Sequence, residues 1–209
     1  MEKDVRKSNA EAAETRRRIL ATASGLFLKN GIAETAIADV MVAAGLTQGG
    51  FYRHFESKEH LVAEASSAAF DLILNTFDSV TVGKSPRDAV DLIVHCYLHQ
   101  HQNPESSVLC PMANLSSEIR NADELIKNVV TEGYHRFVKM FAAYLIRLDY
   151  GDYMGIAEAI VAVLVGAVSL SRLTLESDLS SAILDNAKNT VNLILESATR
   201  GRDRHKATT

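Results

Sequence analysis

Apolar residues recur at helical spacing along most of this chain, and the breaks between runs divide it into predicted helices. Thr15 predicts a cap, and Ile19, Leu20, Ala23, Leu26 and Phe27 form the stripe that follows, up to Asn30-Gly31. Ile37, Val40, Met41 and Ala44 make a shorter stripe closed by Gly45, placed where a left-handed residue ends a helix. Thr47 reads as the cap of the next helix, which buries Phe51 and Phe55. From Ser57 a longer stripe runs through Leu61, Ala65, Ala69, Leu72, Ile73 and Phe77 to about Ser79, and Val82-Gly-Lys-Ser-Pro86 breaks it. A helix from about Pro86 to His101 puts Leu92, His95, Cys96 and His99 on one stripe, with Asn103-Pro104 as its stop.

Pro111 suits a first helical position, and Met112, Leu115, Ser116 and Ile119 share a face behind it. Asn121 with Glu124 predicts the cap of a long helix lined by Ile126, Val130, Tyr134, Phe137, Phe141, Tyr144 and Leu148. The most apolar helix spans about Asp152 to Glu176. Ser177-Asp178 opens the last, with Leu184, Ala187, Val191, Ile194 and Leu195 inward. The resulting fold class is all-α.

Two segments carry chemistry. Ile37 to Lys58 reads as two short helices joined by a glycine turn, a helix-turn-helix whose second member can enter the DNA major groove. Its outward residues are Thr47, Gln48, Gly50, Tyr52, Arg53 and His54. Gln pairs bidentately with adenine, and Thr meets base edges or a thymine methyl. Gly49 and Gly50 each cost roughly 1 kcal/mol in a helix relative to Ala, which makes sense where the backbone approaches a groove wall. Tyr52, His54 and Lys58 read as phosphate partners, the last beside a helix amino terminus. Arg16, Arg17 and Arg18 would crowd a first turn, a conflict with the helix dipole that a phosphate or plain solvation relieves.

Thr35-Ala-Ile-Ala-Asp-Val followed by Ala44-Gly-Leu-Thr-Gln-Gly-Gly-Phe-Tyr-Arg-His-Phe-Glu-Ser-Lys-Glu-His-Leu61 resembles the amino-terminal domain of the TetR family of transcriptional regulators. The resemblance implies an amino-terminal three-helix helix-turn-helix domain, a larger helical effector-binding and dimerisation domain, and DNA contacts at Arg16, Thr35, Thr47 to Gly50, Tyr52, Arg53, His54 and Lys58. One departure is Ala36, where the family commonly has a hydroxyl residue that forms a capping box with the acid here at Asp39. The expected partition is a flexible arm over 1–14, the DNA-binding domain over 15–60, the effector and dimerisation domain over 61–198, and a polar tail over 199–209.

The second segment is Leu109-Cys-Pro-Met-Ala-Asn-Leu-Ser-Ser-Glu-Ile-Arg120. Cys110 at a helix start would favour thiolate, and the Cys-Pro run resembles one TetR branch in which it belongs to the effector domain. An apolar pocket is expected among the later helices, with Phe70, Cys96, Cys110, Met112, Asn114, Tyr134 and Phe137 as its candidates and a small apolar or electrophilic organic molecule as guest. His95 and His99 at i, i+4 beside Cys96 could bind a metal, but no further ligand is dictated nearby. No metal and no cofactor is therefore expected.

Net charge of −4 argues against DNA only until it is divided: residues 1–60 carry nine Lys/Arg against eight Asp/Glu, and the remainder 13 against 18. The longest uncharged apolar run, 159–171, falls short of the roughly 20 residues of a bilayer span, so no membrane is expected. Two cysteines and no apolar leader imply a reducing, cytoplasmic setting. The expected partners are a palindromic double-stranded operator, a second copy of the chain joined through its last two helices, and a small organic effector. A thiol-based sensor using Cys110 is the alternative on the same scaffold. A helical-bundle enzyme is the opposing class, but no nucleophile, base and orienting group form a set.

Overall fold

The computed structural model describes residues 2–99 and 109–206, and every regular element among them is helical. In order these are α1 (Glu2–Asn30), α2 (Ile37–Ala43), a 3-10 helix (Gln48–Arg53), α3 (Lys58–Thr81), α4 (Pro86–His99), α5 (Pro111–Asn114), α6 (Ser116–Ile119), α7 (Glu124–Arg147), α8 (Tyr153–Ser171) and α9 (Ser177–Lys206). The stop expected at Asn103-Pro104 lies outside the described residues. By packing the chain forms two compact units, Met1–Leu72 with Leu109–Thr131, and Ile73–Val108 with Glu132–Thr209.

Several local expectations are corrected. Thr15 does not cap α1, and residues 2–14 are helix rather than an arm, because Ala10-Glu-Ala-Ala-Glu14 contains strong helix formers and no breaker. Arg16, Arg17 and Arg18 consequently sit in mid-helix, clear of the amino-terminal dipole. The helix expected after Pro111 is split at Leu115 into α5 and α6. Asp123, rather than Asn121, caps α7: its Oδ1 accepts from the Ile126 amide at 3.0 Å. The α4 face that packs inward is Ala89, Val90, Ile93, Val94, Tyr97 and Leu98, so His95 is exposed and Cys96 only half-buried. The inward face is aliphatic apart from Tyr97, whereas the alternative stripe would bury two imidazoles.

In the first unit Ile19, Ala23 and Phe27 of α1 pack with Val40, Met41, Phe51, Phe55, Leu61 and Ala65. Leu115 and Ile119, distant in sequence, complete this core. Side chains of this size are worth about 1.5–3 kcal/mol each when fully buried, so α5 and α6 are integral to the unit.

The second unit is built on α8 and α9, with α4 against both. Phe77, Tyr97, Phe137 and Phe141 fill its interior, with ring centroids 5.3–5.8 Å apart from Phe77 and Tyr97 to Phe137 and from Phe137 to Phe141. Asp152 caps α8 as its Oδ1 accepts from Gly155 N at 3.1 Å, and a Cβ on Gly155 would lie 2.5 Å from the same carboxylate. Gly155 is small because of its own cap. By length and composition alone α8 could cross a membrane, but its Ile156, Ile160, Leu164 and Val168 are buried within the unit.

Candidate nucleic-acid interface

Helix α2 ends as its sequence dictates. Gly45 takes φ +71, and the Leu46 amide donates to Met41 O at 2.8 Å, turning the chain sharply toward Thr47. The element that follows is a 3-10 helix rather than the expected α-helix, and it ends at Arg53. Thr47 occupies the cap position with extended backbone, but its hydroxyl makes no capping bond. Two glycines explain the irregular winding, since neither supplies a side chain to stabilise an α-turn. Phe51 anchors the element from behind, fully buried, with Phe55 stacked on it at 5.7 Å.

The opposite side is open. Thr47, Gln48, Gly49, Tyr52 and Arg53 are exposed, and among the described residues Gln48 and Arg53 have no side-chain hydrogen bond or ion-pair partner. Gly50 is half-buried, and a Cβ there would touch Met41 at an ordinary 3.7 Å. A Cβ on Gly49 would meet nothing within 4 Å. Packing inside the protein therefore gives no reason for a glycine at 49. Tyr52 stands 74% exposed, its ring edge-on to Phe51 at 5.1 Å, so an aromatic hydroxyl projects from a buried base. His54 is half-buried, and its amide closes the turn on Phe51 O at 2.9 Å.

Three other candidates sit differently. Thr35 is corrected: it is 2% exposed, and its hydroxyl donates to Gly31 O at 2.7 Å, satisfying the carboxyl end of α1. Arg16 reaches Glu64 Oε1 at 2.6 Å and lies over the Phe55 ring at 4.7 Å, clamping α1 to α3. Lys58 donates from Nζ to Ile32 O at 2.6 Å, which leaves two of its protons for another acceptor. At the start of α3, Ser57 Oγ accepts from the His60 amide at 3.2 Å. The Ser57 hydroxyl and the Glu59 backbone amide together hold the Glu59 carboxyl below its ordinary range. At α2 the capping box is half present: Ala36 N donates to Asp39 Oδ2 at 3.3 Å, while Ala36 has no oxygen to return the bond.

Residues 19–65 match the profile of bacterial regulatory proteins of the tetR family. Over those residues the chain carries a TetR-family amino-terminal domain. A regulator named TtgR from Pseudomonas putida is 38% identical over 87 residues, covering 42% of this chain and 40% of that protein. The probable acrEF/envCD operon repressor of Escherichia coli is 37% identical over 59 residues, 28% of this chain and 27% of its own. The chain thus spans well under two thirds of the curated relatives it matches here. A TetR transcriptional regulator from Chloroflexus aurantiacus superposes with a TM-score of 0.73 at 26% identity, covering 88% of this chain and 96% of that one.

The residues expected to line a pocket fall into both units. Phe70, Cys110, Met112 and Asn114 belong to the first, and Cys96, Tyr134 and Phe137 to the second. Phe70 and Phe137 are each 2% exposed, packed as core. Cys110 precedes α5 as its cap residue, 3% exposed, and its carbonyl accepts from Asn114 Nδ2 at 2.8 Å. The Asn114 Oδ1 is buried with no hydrogen-bond partner. Burial pushes the Cys96 thiol up. Within the second unit, a groove of about 530 Å³ has Leu74, Met140 and Ala143 as apolar lining and Arg136, Lys139 and Arg147 as cations, with Asp78 opposing them.

Sequence reasoning missed Glu64 and Glu118. They lie 48 residues from Arg16 and 86 from Ile32, and no local pattern pairs groups so far apart.

Proposed function

We propose that this chain is a DNA-binding transcriptional repressor, acting as a homodimer on a palindromic operator and released by a small organic effector. The observation that carries the reading is the open set Thr47, Gln48, Gly49, Tyr52 and Arg53 on an element locked from behind by Phe51 and Phe55. Gln48 and Thr47 read base edges, Arg53 and Tyr52 take phosphates, and Gly49 admits the groove wall. Lys58 contributes its two remaining protons at the start of α3. The names of the relatives, regulators and an operon repressor, support the same reading.

The dimer uses the uncovered apolar surface of α8 and α9. Ala162 and Leu170 are exposed with Gly166 between them, and Leu179 and Leu193 are 46% and 64% exposed on α9. The effector is a small organic molecule bound by the helical region beyond the reading head. At 3% exposure Cys110 favours reversible ligand release over thiol modification as the trigger. The protein acts in the cytoplasm as a binding protein, not as an enzyme.

Selection from random duplex DNA tests the reading. It should return a palindrome, and Gln48→Ala should relax preference within each half-site. Recovery of unrelated sequences, or of a site without two-fold symmetry, defeats the assignment.

A further inference from the structure

Glu118 makes an unusual pair of contacts within the first unit. One carboxylate oxygen accepts from the Ile32 amide at 3.0 Å and the other from the Ala33 amide at 2.7 Å. These amides follow Gly31, whose φ of +92 aims consecutive N–H groups the same way, a backbone nest suited to an anion. A Cβ on Gly31 would lie 3.0 Å from Glu118 Oε2, so position 31 is fitted to the carboxylate as well as to the left-handed turn.

The turn gripped in this way is the one that aims the reading head. Ile32 O receives the Lys58 ammonium, Gly31 O receives the Thr35 hydroxyl, and α2 starts at Ile37. On the other side, Glu118 lies on α6 between Leu115 and Ile119, both buried in the core that holds Val40, Met41 and Phe51. A groove of about 470 Å³ lined by Ile32, Lys58, Val62, Glu118 and Ile126 borders the clasp.

We propose that Glu118 is a positioning residue for DNA reading, a built-in anion that holds the α1–α2 turn, and through it α2 and Lys58, in the geometry that fits the operator. This rests on the regulator reading above.

Electrostatics alone predicts the opposite sign, which makes the idea testable. Removing a negative charge near a DNA-binding surface strengthens binding to any sequence. Loss of a positioning contact weakens binding to the selected operator instead, by about tenfold, with the salt slope unchanged because no phosphate contact is lost.

The experiment compares Glu118→Gln, Glu118→Ala and Glu34→Gln by operator affinity across a salt series. Hydrogen exchange at the Ile32 and Ala33 amides is read alongside. Glu34 is an exposed carboxylate on the same loop and serves as the charge control.

Both Glu118 variants should exchange these amides about tenfold faster and lose operator affinity, while Glu34→Gln holds or gains affinity. Faster exchange with unchanged or stronger operator binding overturns the positioning role. Unchanged exchange overturns the clasp itself, and that arm reads out even if the wild type selects no DNA. Should Glu118→Ala fail to fold, Glu118→Gln, which keeps one acceptor and the side-chain volume, gives the same two readings.

Discussion

The Arg16 guanidinium meets the Glu64 carboxylate at 2.6 Å while lying over the Phe55 ring. Each group is about 40% exposed, so the ion pair itself contributes about 0.2–1 kcal/mol and the ring contact a similar amount. In this structure Arg16 therefore clamps the head. Arg16→Ala should lower stability by about 1 kcal/mol and leave the salt dependence of operator binding unchanged. Arg53→Ala should do the reverse, with stability preserved and the salt slope reduced by about one. A reduced slope for Arg16→Ala would show that the arginine leaves Glu64 when DNA binds.

Ala36 leaves α2 with half a capping box. Its backbone is already extended, φ −80 and ψ 152, so a serine fits the cap without strain. Ala36→Ser should add about 1 kcal/mol and raise the melting temperature by about 2–4 °C. An unchanged melting curve would mean that solvent already satisfies these amides as well as a hydroxyl can.

The two adjacent glycines should separate in their effects. Gly49→Ala adds a methyl that meets nothing in the protein, so stability should hold or rise by up to about 1 kcal/mol while operator affinity falls. Gly50→Ala makes an ordinary contact with Met41 and should fold normally as well. Full operator affinity in Gly49→Ala would remove the close-approach explanation for that glycine. Thermal melting together with fluorescence anisotropy on the selected site decides between these outcomes.

A Cβ on Gly166 also meets nothing within the chain. Gly166→Glu should leave the monomer fold intact and break the dimer, because a charge placed in a desolvated contact costs several kcal/mol. Sedimentation reads the mass and circular dichroism reads the helix content. A folded, unchanged dimer places the interface elsewhere.

His95 stacks near His99, with ring centroids 4.2 Å apart. Desolvation first, then the charges of His99 and Lys188, lower its pKa from the ordinary 6.5. The folded state thus refuses a proton that the unfolded chain accepts. Stability is full above the unfolded value and falls as pH drops below it. Between about pH 7.5 and about pH 5.5 the wild type should lose more melting temperature than His95→Gln. Parallel curves would mean that His95 is solvated well enough to titrate normally.

What the sequence determined by itself was whatever depends on neighbours within a turn or two. Gly31, Gly45 and Gly83 take positive φ at the breaks that punctuation predicted, with φ of +92, +71 and +73. Phe51 and Phe55 are buried at their i, i+4 spacing, and Gln48, Tyr52 and Arg53 are left outside. Asp152 caps α8 where an acid after Gly151 suggested a helix start. Each of these is a local contest between backbone conformation, a cap and a stripe, and the residues that settle it are adjacent.

The tertiary structure decided the rest, because the deciding partners are far apart in the chain. Thr35 became a buried hydroxyl, Arg16 a clamp and Lys58 a support only once Gly31, Glu64 and Ile32 had been brought beside them. Leu115 and Ile119 joined the reading head's core because that core had space for two more aliphatic side chains, which a helical stripe cannot reveal. The same is true of α4, where two stripes compete and long-range packing selects the one without histidines. Periodicity says that a face will be buried, and only the fold supplies what buries it.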